Sequence, residues 1–207
     1  MEEMENRVLL RGTVADAAAF SHRVHGIDFY RFPLAVPRLS GREDLVNVLV
    51  ARAPGDDPLP APGEPLTVTG QIRSYNNRSG VGSRLVITVL ARSLLPGDGD
   101  PCNQVSLIGT LCKDPVPRRT PLGRDICDLL LAVNRKYRRA DYLPCIAWGS
   151  LALACAHLRT GDSLRLEGRL QSRTYLKTIG DQTQERTAFE ISVSALTPLD
   201  EADDAPP

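Results

Sequence analysis

Residues Asn6 to Thr13 read NRVLLRGT, and residues Asn103 to Thr110 read NQVSLIGT. The same offset of 97 positions carries Ala35, Val36 and Arg38 onto Ala132, Val133 and Arg135, and Asp44 onto Asp141. One position is gained further on, so Gly63 and Gly70 in GEPLTVTG fall on Gly161 and Gly168 in GDSLRLEG. A self-match sustained over this length describes two copies of one small domain, and function is best read from where the copies differ.

The 207 residues leave each copy roughly 95 to 100 residues, enough for a core of its own. Period-2 apolar patterning with Gly and Pro punctuation predicts five strands per copy. In the first they run near Asn6 to Ala15, Ile27 to Val36, Asp44 to Ala51, Leu66 to Tyr75 and Arg84 to Leu94. In the second they run near Asn103 to Leu111, Asp125 to Asn134, Asp141 to Trp148, Ser163 to Tyr175 and Arg186 to Leu196. After the third strand of copy two, GSLALACAHLRTGD sets Leu151, Ala154, Cys155 and Leu158 at helical spacing with a stop at Gly161. The matching stretch of copy one, RAPGDDPLPAPG at Arg52 to Gly63, carries four prolines, each lacking the amide donor a helix needs, so the helix is expected to be lost there.

Five strands with a helix after the third is the order of the OB-fold, a partly open barrel. The fold expected is therefore all-β with one short helix, as two tandem OB-fold five-stranded barrels. The domains read 1–96, a linker at 97–102 (PGDGDP runs from Pro96 to Pro101), 103–198, and a short acidic disordered tail at 199–207.

No apolar run approaches the roughly 20 residues of a membrane span, and MEEMENR is acidic where a secretion signal is basic. The expectation is a soluble cytoplasmic, nucleoid-associated protein with no membrane partner. Five cysteines without a C-x-x-C pair argue against disulfides and zinc, and His22 and His25 form only an H-x-x-H in a polar loop. No metal and no cofactor is expected. Net charge is zero, yet residues 103–198 hold 14 Lys and Arg against 9 Asp and Glu, whereas residues 1–96 hold 11 against 10. The second copy is the better surface for phosphates.

Copy two resembles the bacterial single-stranded DNA-binding protein family over nearly its whole length. The motifs that carry this are KDPVPRRTPLG at Lys113 to Gly123, LLAVNRKY at Leu130 to Tyr137, ADYLPCIAWG at Ala140 to Gly149 and EGRLQSRTY at Glu167 to Tyr175. Copy one keeps the frame (NRVLLRGT, FPLAV, VTGQIRSY) and matches weakly.

Sequence-independent binding of a single strand needs aromatic faces for bases, interleaved with cations for phosphates. Tyr137, Tyr142, Trp148 and Tyr175 fall at or near positions where the resemblance implies stacking aromatics. Lys113, Arg118, Arg119, Arg124, Arg135, Arg138, Arg139, Arg169, Arg173 and Lys177 lie on the same strands and loops. On its own, Trp148 at the end of an apolar strand reads more readily as a buried indole over the barrel mouth, and arginine-rich loops are mostly just solvated. In copy one, Leu45 stands for Tyr142 and Ala51 for Trp148, while Tyr75, with Arg73 nearby, remains near the position of Tyr175. Stacking there should be weaker. Copy one is either a structural and oligomerising half, or its Phe29, Tyr30, Phe32 and Tyr75 with Arg31, Arg73, Arg78 and Arg84 bind DNA by another path.

Nothing in the chain has the spacing of a catalytic site. The reading is a non-enzymatic protein that coats and protects single-stranded DNA in replication, recombination or repair. The alternative is an OB-fold accessory or scaffold protein, such as a primosomal or recombination-loading factor, acting through protein contacts. The resemblance implies four OB domains per particle, hence a homodimer. It also implies an acidic tip closing on Pro-Phe that recruits replication and repair proteins; DEADDAPP keeps the acid and lacks the aromatic, so that contact is in doubt.

Overall fold

The computed structural model describes residues 5–78, 83–179 and 182–199, with the side chains of residues 177, 179 and 182 outside it. The expected tail from residue 200 onward lies outside the described residues.

Strands β1 (Asn6–Val14), β2 (Ala19–Val24), β3 (Ile27–Pro37), β4 (Glu43–Arg52), β5 (Pro65–Asn76) and β6 (Leu85–Pro96) belong to the first copy. They pair in the order β2-β3-β4-β6-β5-β1, and β1 pairs again with β3. That second pairing closes five strands into a barrel and leaves β2 as a flap on β3. Copy two repeats the scheme with β7 (Cys102–Leu111), β8 (Val116–Arg119), β9 (Asp125–Arg135), β10 (Arg139–Trp148), β11 (Ser163–Ile179) and β12 (Gln182–Leu199). Its order is β7-β11-β12-β10-β9-β8, closed by β7 on β9. These are the two tandem five-stranded OB barrels expected. The short β2 and β8 were not expected, because each is an exposed flap without an apolar period of its own.

Alternation puts one side of every barrel strand inside. Leu10, Phe32, Leu34, Val48, Val68, Ile72 and Val89 are fully buried in the first barrel, and Leu107, Leu131, Leu143, Leu164, Leu166, Leu170 and Ile191 in the second. Each such side chain contributes about 1.5 to 3 kcal/mol relative to exposure. Closure also needs backbones to touch. A Cβ on Gly12 would lie 2.1 Å from the Ala35 carbonyl oxygen, and one on Gly109 would lie 2.5 Å from that of Ala132. Gly70 and Gly168 meet Leu90 and Ser192 in the same way, at 2.3 and 2.4 Å. Glycine is required at all four positions by space alone.

Helix α1 (Ser150–Cys155) follows β10 and buries Ala152 and Cys155. It is shorter than the expected stripe, and Ala154 faces outward instead of inward. Residues 53–64 of copy one contain no helix. The two connections still end alike. Gly63 N–H donates to Val14 O at 2.8 Å and Gly161 N–H to Leu111 O at 3.0 Å, both glycines at positive φ. Copy one thus keeps the end point of the connection while prolines remove its helix.

Two compact units divide the chain differently from the two copies. Of the described residues, one comprises 5–6, 74–78, 83–86, 105–179 and 182–199, and the other 7–73 and 87–104. The outer half of the β5–β6 hairpin therefore counts with the second barrel.

Candidate nucleic-acid interface

In barrel two, Leu143, Cys145 and Ala147 point inward, so Tyr142, Pro144, Ile146 and Trp148 alternate on the other side of β10, where Ile146 is buried and the two rings are exposed. Trp148 pairs across to Ile126, Ile146 to Asp128 and Tyr142 to Ala132 on β9. In the other direction Ile146 pairs with Ser192 of β12, whose neighbours Glu190 and Ser192 pair with Gln171 and Arg169 of β11. Directly paired residues share a sheet face. The outer face of β9-β10-β12-β11 therefore carries Tyr142 and Trp148 on one strand and Arg169, Gln171, Arg173 and Tyr175, at period 2, on another.

Tyr142 and Trp148 are 52% and 39% exposed. Trp148 is thus no buried lid over the barrel mouth. The Arg173 guanidinium sits 5.6 Å from the centre of the Tyr175 ring, a cation–π pair that fixes both. Lys177 continues the row in register, with its side chain outside the described ones.

Between β9 and β10 a turn of Lys136–Arg138 places Tyr137 at φ 64° and Arg138 at φ 54°. Left-handed backbone costs a non-glycine residue about 1 to 2 kcal/mol. Copy one uses Gly41, at φ 77°, in its equivalent turn. Copy two instead holds a tyrosine in this conformation and leaves it 92% exposed.

The arginines divide into two groups. Arg138, Arg139 and Arg169 are exposed and make no ion pair with a described residue. Arg118 and Arg119 are engaged with Asp128 and Asp125, and these hydrogen bonds raise both guanidinium pKa values. Arg173 pairs with Glu190 at 3.1 Å. Arg135 Nε lies 3.2 Å from Oδ2 of the fully buried Asp141, without the alignment of a hydrogen bond. Arg73, half-buried, donates to Gln71 and belongs to the other compact unit.

Sequence reasoning missed Asp128 and Glu190, two carboxylates on the outer face that hold Arg118 and Arg173. Strand alternation points to each, but only the pairing of β12 with β10 brings them onto one face.

Of the rings that copy one offers, Phe32 is fully buried core. Phe29 and Tyr30 instead join the β2 flap. His22 stacks on Phe29 at 4.8 Å between ring centres, and Phe20 meets Tyr30 edge-on at 5.8 Å. Among the described residues, no cluster of His, Cys, Asp or Glu is placed to hold a metal, and no helix is long and apolar enough to cross a membrane.

A closed OB barrel with exposed rings and cations on one outer face defines an oligonucleotide-binding module. A profile of the single-strand binding protein family matches residues 102–199. The chain is 34% identical over 110 residues to single-stranded DNA-binding protein 2 of Listeria innocua, covering 69% of that protein and 50% of this one. It is 36% identical over 103 residues to single-stranded DNA-binding protein A of Bacillus subtilis, covering 60% and 46%. Across nearly its whole length it resembles the crystal structure of the wild-type single-stranded DNA binding protein from Thermus aquaticus. That match has a TM-score of 0.75 and 27% identity, and covers 95% of this chain and 94% of the other. The chain belongs to the single-strand binding protein family.

Proposed function

We propose that this protein binds single-stranded DNA on the outer face of the second barrel, without a catalytic step, in replication, recombination or repair. The observation that carries the reading is the row Arg169, Arg173, Tyr175 on β11, on the same sheet face as Tyr142 and Trp148 on β10. Rings stack on any base and cations meet any phosphate, so binding is sequence-tolerant and salt-dependent. Tyr137, Arg138 and Arg139 extend this face at the β9–β10 turn. Arg119, Arg135 and Arg173 meet phosphate by exchanging the carboxylate that each already holds. Lys177 and Tyr75 complete the set on this unit, and Arg73 is a further DNA contact proposed on the other.

We take residues 1–96 and 103–198 as the two domains, with the protein working in the cytoplasm on the nucleoid. Two barrels per chain suit a homodimer of four barrels, closed about a two-fold axis.

Trp148 is the single tryptophan, so its fluorescence reports directly on the site. Titration with oligo-dT is expected to quench it, duplex DNA to do so far less, and a rise from about 50 to 200 mM salt to weaken binding at least tenfold. Equal affinity for duplex, or no response to oligo-dT at micromolar protein, would refute the reading. Light scattering near twice the 22.6 kDa of the chain tests the dimer.

A further inference from the structure

Ser74, near the end of β5, is held on both sides by consecutive residues of β10. Its backbone N–H donates to Asp141 Oδ1 at 2.6 Å, and its hydroxyl accepts the backbone N–H of Tyr142 at 2.8 Å. Ser74 and Asp141 are buried. A buried carboxylate and a buried hydroxyl satisfied by each other's strands make a stiff joint, because loosening it would strand polar groups away from water. The residue after Ser74 is Tyr75 and the residue after Asp141 is Tyr142. Each ring is about half exposed, at 50% and 52%.

The two rings line one cleft of about 450 Å³ together with Arg84 and Leu85 of the β5–β6 hairpin and Leu130 and Ala140 of the second barrel. All these residues lie within one compact unit. The volume falls within the range of small-ligand sites, and the lining combines aromatic and aliphatic walls with one guanidinium. Arg84 is exposed and pairs with no described acidic group.

We propose that this cleft is a nucleotide subsite built jointly by the two sequence copies: one base of a single strand packs against Tyr75 and Tyr142, and Arg84 meets its phosphate. The inference rests on the single-strand reading above and deepens it. It assigns Tyr75 to the binding face of the second barrel, where comparison of the copies alone gives it a minor place in the first. Ser74 ties together the two strands that carry the rings.

The test is a double-mutant cycle on the full chain with oligo-dT, using Tyr75→Ala, Tyr142→Ala and the pair, with Trp148→Ala as reference. Each single substitution is expected to weaken binding by about 5- to 150-fold, the loss of one stacked base. The pair should lose little more than either single, because both rings hold the same base. Photocrosslinking of 5-iododeoxyuridine oligonucleotides should mark both tyrosines. If Trp148→Ala weakens binding while Tyr75→Ala does not, or if the two losses add in full, the joint subsite is wrong and the single-strand reading stands. No binding of oligo-dT by the wild-type chain overturns both.

Discussion

The Arg38 guanidinium brackets the buried carboxylate of Asp44, with Nε donating to Oδ2 at 2.7 Å and the second nitrogen donating to Oδ1. Asp44 is 1% exposed. A charge so buried is tolerable only while paired, and removing one partner strands the other. Asp44→Ala alone is expected to destabilise the fold by about 3 to 5 kcal/mol, and Arg38→Met with Asp44→Leu by less. Urea unfolding of the two variants and the wild-type chain checks this. A single-substitution loss below about 1 kcal/mol would show that water reaches the pair.

The strained tip of the β9–β10 turn separates stability from binding. Tyr137→Gly relieves a left-handed tyrosine and removes an exposed ring, so the melting temperature is expected to hold or rise while affinity for oligo-dT falls. A fall in both would mean that the ring packs on the barrel, against its 92% exposure.

Asp128 places a negative charge on the face where a phosphate would lie, and it occupies Arg118. Asp128→Asn is expected to tighten binding of oligo-dT several-fold at about 50 mM salt, with the gain shrinking towards 200 mM as the charge is screened. Unchanged affinity at low salt would place the strand elsewhere on the barrel.

Burial pushes the Cys145 thiol far above its ordinary pKa and raises Cys155 to about 11. Cys127 is raised for the same reason. The thiolate is the reactive form, so at pH 8 these three are expected to resist iodoacetamide in the native protein and to react in urea. Cys102, only half-buried, should be modified first. Mass spectrometry of the labelled peptides decides it, and fast native labelling of Cys145 would indicate an opening of the barrel at β10.

Much of the fold is legible in the sequence because closure of each barrel rests on repeated glycines and period-2 strands, and both survive divergence between the copies. The prolines of residues 53–64 announce the lost helix, since one backbone rule decides it. The site is less legible. Alternation separates Tyr142 and Trp148 from Leu143 and Ala147, but it does not say that Glu190 lies beside Arg173 across two strands. Nor does local pattern reveal that Phe32 enters the core while Phe29 and Tyr30 join a flap, which depends on where β3 leaves the barrel. The place of Tyr75 is set by the Ser74–Asp141 bond, between residues 67 positions apart.

Gly12 and Gly109, like Gly70 and Gly168, hold their barrels shut through close approach to backbone, and the side chains that Gly109 and Gly168 also meet, Leu131 and Ile191, are buried ones. Binding chemistry can therefore be transplanted without touching the joinery. Leu45, 53% exposed, and Ala51 occupy the outward sites of β4 that correspond to Tyr142 and Trp148. Leu45→Tyr with Ala51→Trp would furnish the first barrel with the second's rings at the matching outward sites while all four glycine contacts stay as they are.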